Sequence, residues 1–478
     1  MIIVISQLWY AEMLFLTLYI QIISFIMNKF LTIILTLVGW VSFAQTHNQT
    51  IVVQMQPATY KQVALYASEG AQQKYITHGQ SETGIFQLSI PTDAPHAAYR
   101  MVYNQETMDY IDFLYLGKSF EIQFNPTNPN ELPVFINSEE NTHYFKQLFT
   151  INSIQQKMDS IQVEIFKTDN SQTLSALQNQ YAIQQNELIK WVSLIEKTET
   201  NPLIKDILKA HERVLPQAPI QDPLAYLNFI KLHFFDHIDF NNSNMVHSSL
   251  LLDKVMDYIF YLTVAETPES QNTLYIEAIQ EVMQKIQNET IKPGFIQALI
   301  QSFLQDENAE VIDVLFEKYY NLLPADQQNT NWKNGIQNQL KTAIGRTAPD
   351  FEFIFNKNVS SLYKLSGYKY YVIVFWSTTC SHCLKEIPMF YDYIKDRPDT
   401  KVIAIGMETY DSKPNWESEV YDYAAFINVM GLGKWENPIA RSYNVHATPN
   451  YFILDASKKI IFKPYDFEEA EEVFDNLK

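Results

Sequence analysis

Short apolar segments separated by turn residues fill residues 45–140. Six segments are rich in β-branched and aromatic side chains, which is typical of strands: TIVVQMQ, QVALYAS, GIFQLSI, AYRMVYN, IDFLYL and FEIQFN. Turn-forming residues lie between them, at Gly70, Gly79, Gly84, Pro91 and Gly117. Evenly spaced short strands predict an N-terminal β-rich domain, a sandwich or a small barrel.

The hydrophobic period changes to that of helices over residues 141–343. In TLSALQNQYAIQQNELIKWVSLIEK one stripe is apolar: Leu174, Leu177, Tyr181, Leu188, Trp191 and Ile195. Asn201-Pro202 then breaks the helical pattern. Four later segments have the same character: LAYLNFIKLHFF, LLLDKVMDYIFYL, LYIEAIQEVMQKI and GFIQALIQSFL. The pattern predicts a central all-α region whose aromatic stripes pack in a core rather than line a groove.

Strand and helix patterns alternate from residue 344 to residue 478. YKYYVIVFW and TKVIAIGME predict strands, and NYFILDA with KIIFKP predicts a hairpin. CLKEIPMFYDYIKD, SEVYDYAAFINVM and EEAEEVFDNL predict helices. Such alternation predicts a C-terminal α/β domain, with a mainly parallel sheet covered by helices on both faces.

The first 44 residues form an apolar leader. Lys29 gives a short positive start, residues 30–41 are apolar, and small residues end at Ala44, as in a secretory signal peptide over residues 27–44. Export is therefore expected, to the periplasm or beyond. Residues 1–26 are either an extension upstream of a start at Met27 or a membrane-spanning segment that would tether an uncleaved chain. We favour the extension, because a signal peptide does not normally follow another apolar helix.

Composition restricts the class of protein. The 478 residues are 47% hydrophobic and 14% aromatic, which indicates a folded chain rather than a disordered one. That length predicts several domains. The formal net charge of −19 argues against nucleic-acid binding, which needs a basic surface.

The chain has two cysteines, Cys380 and Cys383, in the segment WSTTCSHCLKEIP. A disulfide two residues apart closes a very small loop and adds little stability, so the pair is better explained by chemistry. Cys380 falls where a buried strand gives way to a helix, whose N-terminus stabilises a thiolate, the attacking form of the thiol. Cys383 lies one turn deeper on the same side and could resolve a mixed disulfide. This spacing at a strand-to-helix junction predicts a redox site.

Three motifs in order resemble the thioredoxin superfamily, and most closely its TlpA-like exported branch. They are GRTAPDF at residues 345–351, VFWSTTCSHCLKEIP at residues 374–388 and YNVHATPNYFILD at residues 443–455. The resemblance covers residues 344–478. It implies a thioredoxin-like fold and thiol–disulfide exchange with protein disulfides, with no bound cofactor. It also implies an electron donor, such as a membrane thiol relay.

The resemblance assigns a role to several residues. Cys380 would be the nucleophile and Cys383 the resolving thiol. Pro449 would follow a cis bond and let the backbone of Thr448 pair with an extended substrate. Trp376 would shield the site, and Pro388 would kink the helix that follows the cysteines.

Some positions depart from the family pattern. Thr379 replaces an aromatic residue, Ser381 replaces a proline, and Val374 stands where many thioredoxins have a buried acid. Glu386, which matches an acid common in the exported branch, is a candidate proton acceptor for Cys383, or else a solvated surface residue. His382 is also a candidate site residue, because its imidazole could stabilise the Cys380 thiolate.

Other kinds of site fit less well. A zinc site would need about four ligands, and there is no second cysteine pair. A peroxiredoxin would need a proline and a threonine where Ile373 and Ser377 stand. His233 and His237 have a spacing that can bind metal, but a helix surface explains them better.

Two short matches also fail. The segment HERVL at His211 lacks the second histidine of a zinc protease, because Leu215 replaces it, and GLGKW at Gly431 lacks the spacing of a phosphate loop.

We therefore predict a three-domain exported thiol–disulfide oxidoreductase with domains over residues 45–140, 141–343 and 344–478. The alternative is a binding or scaffold protein that uses its front domains and keeps the thioredoxin-like domain only for docking.

Overall fold

The computed structural model describes residues 49–91, 93–128, 131–265, 267–355 and 357–477. The apolar leader and predicted signal peptide, residues 1–44, lie outside the described residues. Among the helices that are described, we find none both long and apolar enough to cross a membrane. The chain separates into two compact units, with the division after Leu299.

The first unit begins with two four-stranded sheets. Its strands are β1 (Gln49–Met55), β2 (Gln62–Glu69), β3 (Gln72–Gln80), β4 (Ile85–Ile90), β5 (Ala97–Asn104), β6 (Asp109–Tyr115), β7 (Phe120–Phe124) and β8 (Val134–Ile136). One sheet has the order β4-β1-β7-β8 and the other β3-β2-β5-β6. Neighbouring strands are antiparallel except β1 and β7, which run parallel.

Side chains from both sheets meet in one hydrophobic core. In β1 every second residue points inward, so that Ile51, Val53 and Met55 are at most 1% exposed. They pack with side chains of the opposite sheet that include Leu65 and Tyr99. The predicted β-rich sandwich is confirmed.

Two strands of the sandwich were not predicted. The edge strand β3 is largely polar and exposed, so its sequence shows no hydrophobic alternation. Gly79, predicted as a turn residue, lies inside β3, where a Cβ atom would approach the Cβ of Phe86 to 3.0 Å. Close packing rather than a turn explains this glycine. The other missed strand, β8, is only three residues long.

Helices follow the sandwich. They are α1 (Glu139–Lys167), α2 (Ser171–Thr198), α3 (Pro202–His211), α4 (Pro223–His233), α5 (Ser243–Val246), α6 (Leu250–Tyr261), α7 (Pro268–Lys285) and α8 (Lys292–Gln305). The predicted stripe on α2 is buried at Tyr181, Leu188 and Ile195. Asn201 caps α3 by accepting a hydrogen bond from the Leu203 N–H. The central all-α region is thus confirmed.

The division between the two units falls within α8. It cuts neither at residue 140 nor at residue 343, and therefore does not test the predicted three-domain limits. Those limits stay predictions.

A buried arginine joins the second sheet to helix α6. Arg100 on β5 is 8% exposed. Its Nε and Nη2 donate to the carboxylate of Asp112 on β6 at 2.8 and 2.7 Å. Its Nη1 and Nη2 donate to the carboxylate of Asp253 on α6 at 3.2 and 2.6 Å. The ring centroid of Tyr110 lies 3.6 Å from the guanidinium carbon, so the cation is enclosed by partners.

The second unit contains the α/β region. Its helices after α8 are α9 (Ala309–Lys318), α10 (Thr330–Gln339), α11 (Cys383–Ile394), α12 (Lys413–Glu419), α13 (Pro438–Ser442) and α14 (Phe467–Asn476). Its strands are β9 (Glu352–Phe355), β10 (Asn358–Ser361), β11 (Tyr370–Trp376), β12 (Thr400–Glu408), β13 (Ile427–Leu432), β14 (Asn450–Asp455) and β15 (Ile460–Phe462). Strands β9 and β10 form a separate hairpin.

The main sheet has the strand order β13-β12-β11-β14-β15. Strands β11, β12 and β13 are parallel, whereas β14 and β15 are antiparallel to their neighbours. The central strand β11 is buried on both faces: Ile373 and Phe375 belong to one core, and Val374 and Trp376 to the other. The predicted thioredoxin-like α/β fold is confirmed.

One predicted helix in this unit was wrong in its second half. The segment SEVYDYAAFINVM was predicted to be helical, but β13 begins at Ile427 and pairs in parallel with β12. The helical part ends with α12 and a short 3-10 turn at Val420–Tyr423. Buried residues alternate along β13, at Ile427 and Val429, as they do in a strand with one face packed on a core. The strand forms one edge of the main sheet.

We predict that Arg100→Met lowers the free energy of unfolding of the first unit by about 3 kcal/mol, the lower end of the cost of breaking a buried ion pair, because it leaves the half-buried carboxylates of Asp112 and Asp253 without their countercharge. Urea denaturation followed by circular dichroism measures the loss. Lys61→Met is the control, since Lys61 and Glu82 form an ion pair at 2.6 Å with side chains 71% and 76% exposed. It should change the free energy by about 0–1 kcal/mol. Equal losses in the two variants would contradict the prediction.

Candidate active site

The two cysteines lie where the central strand β11 passes into helix α11. Strand β11 ends at Trp376, and α11 begins at Cys383. Between them the Cys380 N–H donates to the Ser377 carbonyl at 3.1 Å, which closes a turn. The Cys380 carbonyl then accepts the Leu384 N–H at 3.1 Å, as in the first turn of a helix. Cys380 therefore sits at the helix N-terminus, as predicted.

The two thiols differ in access. Cys380 is partly exposed and Cys383 is buried. The Cys383 N–H donates to the Sγ of Cys380 at 3.3 Å. The Cys380 thiol also donates to the Thr448 carbonyl at 3.3 Å, and the Thr448-Pro449 bond is cis, as predicted. The Thr448 carbonyl is thus brought against Cys380, and Pro449 follows it in the chain.

The surroundings shift the two thiol pKa values in opposite directions. Burial alone would raise the pKa of Cys380, but hydrogen bonds from the Cys383 thiol, the Cys383 N–H and the His382 N–H outweigh burial and lower it. Burial raises the pKa of Cys383 to about 12, and its hydrogen bond to Cys380 adds to the shift. The site therefore favours one nucleophilic thiolate, at Cys380.

Trp376 lies at the end of β11, fully buried at 0% exposure. Its ring packs edge-on against Tyr423 at a centroid distance of 5.7 Å. In this conformation it offers no surface to a substrate. Its predicted shielding role stays a prediction.

Glu386 lies in the first turn of α11, and His382 immediately precedes the helix, four residues before Glu386. Glu386 Oε2 accepts hydrogen bonds from the Tyr451 hydroxyl at 3.3 Å and from the Phe467 N–H at 3.1 Å. Its Oε1 is 3.7 Å from Nδ1 of His382, whose side chain is 79% exposed. The partners found for Glu386 among the described residues do not include either cysteine. The roles predicted for both side chains stay predictions.

Two residues that were not predicted contact the turn closed by Ser377 and Cys380, residues 377–380, which we call the redox turn. Glu408, the last residue of β12, is 0% exposed, and its Oε1 accepts hydrogen bonds from the Thr378 N–H at 2.6 Å and the Thr378 hydroxyl at 3.1 Å. Lys434 donates from Nζ to Oγ1 of Thr379 at 2.9 Å. An acid at the end of the otherwise apolar run VIAIGME was the available signal for Glu408. No signal marks Lys434, which lies far along the chain.

The histidines in the first unit have other partners. His233 Nδ1 is 2.7 Å from a carboxylate oxygen of Asp236, and His237 Nδ1 is 2.9 Å from the Glu212 carbonyl. Burial, with a further contribution from Lys254, lowers the pKa of His211 to about 3. Within the described ranges, no group of three or more His, Cys, Asp or Glu side chains could hold a metal ion.

Residues 344–463 match the AhpC/TSA family. Similar solved structures include a thioredoxin-like protein from Bacteroides caccae ATCC 43185, with 17% identity and a TM-score of 0.38, covering 56% of this chain and 99% of that chain. They also include the thioredoxin domain of a thiol-disulfide oxidoreductase from Bacteroides vulgatus, with 24% identity and a TM-score of 0.24, covering 28% and 96% respectively. No curated protein matches the chain. The family match and the fold confirm the resemblance to the thioredoxin superfamily.

We predict that iodoacetamide labels Cys380 and not Cys383 in the folded, reduced protein at pH 7. The lowered pKa of Cys380 gives this thiol the larger thiolate fraction, whereas burial raises the pKa of Cys383 to about 12 and also restricts access to it. Mass spectrometry of the two cysteines after timed labelling measures this difference. Labelling in urea is the control, because unfolding should make the two rates similar. Equal labelling of the folded protein would contradict the asymmetry.

Proposed function

We propose that the chain is an exported thiol–disulfide oxidoreductase whose Cys380/Cys383 pair exchanges two electrons with protein disulfides. The family match and the thioredoxin-like fold support a redox function in general terms. The finer proposal rests on one observation, the asymmetric pair. Cys380 is partly exposed, and its Sγ accepts a hydrogen bond from the Cys383 N–H at 3.3 Å. The Cys383 side chain is buried.

Exchange on this pair takes two steps. The Cys380 thiolate attacks one sulfur of a substrate disulfide, so that a mixed disulfide forms and the other substrate sulfur leaves as a thiolate. Cys383 then loses its proton and attacks Cys380 Sγ. The Cys380–Cys383 disulfide forms, and the substrate leaves as two thiols. It has gained two electrons from the pair and two protons, the one that Cys383 loses and the one that Cys380 released to solvent when it ionised.

The backbone at Thr448 is the candidate contact for an extended substrate. Its carbonyl is already within 3.3 Å of the Cys380 thiol, so a segment that pairs with this backbone would hold its disulfide next to the nucleophile. Thr448 and Pro449 would thus orient the substrate, and no bound cofactor takes part in the exchange.

Direction and location are part of the proposal. We assign the chain a role as reductase or isomerase, re-reduced by an external dithiol donor such as a membrane thiol relay. The leader over residues 1–44 supports export to the periplasm, with tethering to the membrane if it is not cleaved.

We predict that the reduced protein reduces the disulfides of insulin with dithiothreitol as donor, and that Cys380→Ser abolishes the enhancement over dithiothreitol alone. Loss of the only accessible thiol removes the first attack. The rate of insulin precipitation measures the reaction. Cys383→Ala should instead retain the first attack and accumulate a mixed disulfide, visible by mass spectrometry and released by dithiothreitol.

Two outcomes would overturn this function. Equal activity of the unmodified chain and Cys380→Ser would favour the binding or scaffold alternative. Consumption of hydrogen peroxide by the reduced chain, without insulin reduction, would assign the pair to peroxide chemistry instead.

We predict that His382→Ala lowers the reduction potential of the pair by about 30 mV or more, because it removes an imidazole beside the active-site turn that stabilises the Cys380 thiolate. Equilibration with glutathione measures the potential. His446→Ala is the matched control, as His446 is a second exposed histidine in this unit and should leave the potential unchanged. An unchanged potential in His382→Ala would mean that its ring acts only as a solvated side chain.

A further inference from the structure

The end of β12 places a buried carboxylate against the redox turn. Residues 402–407 of this strand are apolar or glycine and buried, and Glu408 is the last residue. It is 0% exposed, although Glu is seldom fully buried without a paired charge. Its Oε2 has no hydrogen-bond partner among the described residues. A buried oxygen without a partner lowers stability, so packing alone does not explain a glutamate here.

The other oxygen of Glu408 has a defined task. Oε1 accepts two hydrogen bonds from Thr378, one from the main-chain N–H at 2.6 Å and one from the hydroxyl at 3.1 Å. Thr378 lies two residues before Cys380, inside the turn that the Ser377 carbonyl closes with the Cys380 N–H. A shift of Thr378 would therefore move Cys380 relative to helix α11.

The end of β12 is also linked to Thr379, the next residue of the turn. The Glu408 carbonyl accepts the Gly433 N–H at 2.9 Å, and the next residue, Lys434, donates to Oγ1 of Thr379. Thr378 and Thr379 are thus both tied to elements outside the turn. The Glu408 link is the buried one, and it has little freedom to adjust.

We propose that Glu408 is a positioning residue for the redox pair. By holding Thr378, it keeps Cys380 Sγ against the Cys383 N–H, the contact at 3.3 Å that stabilises the thiolate. This proposal rests on the proposed redox function, since it explains how the pair is positioned for that function. Neither its geometry nor its test depends on a particular protein substrate.

The test compares Glu408→Gln with Glu408→Met in the full chain. Both side chains are uncharged and of similar size, but only glutamine offers Thr378 an oxygen acceptor. We expect iodoacetamide to alkylate Cys380 about tenfold more slowly in the Met variant than in the Gln variant at pH 7, the effect of a change of about one unit in the Cys380 pKa. The full pH profile separates this change in thiolate fraction from a change in access.

A matched control tests stability alone. Met407→Ala removes a side chain that is also 0% exposed, from the neighbouring position of the same strand and the opposite face of the sheet. It should lower the melting temperature but leave the Cys380 rate within twofold of the unmodified chain. Circular dichroism confirms that each variant is folded at the temperature of labelling.

The expected ratio between the Met and Gln variants would support the positioning role, even if the chain failed to reduce insulin. Rates within twofold of each other in the two folded variants would overturn it. If the Met variant does not fold, Thr378→Val and Thr378→Ser give the same comparison from the donor side, with the Val variant expected about threefold slower for loss of one hydrogen bond. A difference below twofold in that pair would also overturn the proposal.

Discussion

The hydrogen bond from the Cys383 N–H to Cys380 Sγ is the interaction on which the candidate site depends. It exists because a strand buried on both faces is followed, after the turn at residues 377–382, by a helix, and a helix N-terminus has N–H groups without intrahelical partners. The same geometry buries Cys383 and leaves Cys380 partly exposed. One local constraint therefore separates the roles of two chemically identical side chains.

Elements distant in sequence then complete the environment of this pair. The loop before β14 brings the Thr448 carbonyl to the Cys380 thiol, and the end of β12 brings Glu408 to Thr378. The sheet explains why. Strand β12 is parallel to β11, so the carboxyl ends of both strands lie at the same edge, and the antiparallel strand β14 begins at that edge. The redox turn is accordingly held by the sheet that carries it.

The first unit uses buried polar contacts for a different purpose. Arg100 joins helix α6 to the second sheet by hydrogen bonds to two carboxylates. Such bonds fix the orientation of the helix more closely than a hydrophobic contact, which has no preferred direction. Both cysteines of the chain lie in the second unit.

The sequence by itself determined the order of β-rich, helical and α/β regions, the place of the two cysteines at a strand-to-helix junction, and the position of the cis proline. These follow from local hydrophobic period and from short motifs, which need no knowledge of distant contacts. Only the tertiary structure decided that β3 and β13 are strands, because β3 is polar and β13 is recognised through its pairing with β12. It alone also placed Glu408 and Lys434 at the redox turn, and gave Glu386 its partners on β14 and α14. Those contacts join residues tens of positions apart, and no local pattern records which strand ends will meet.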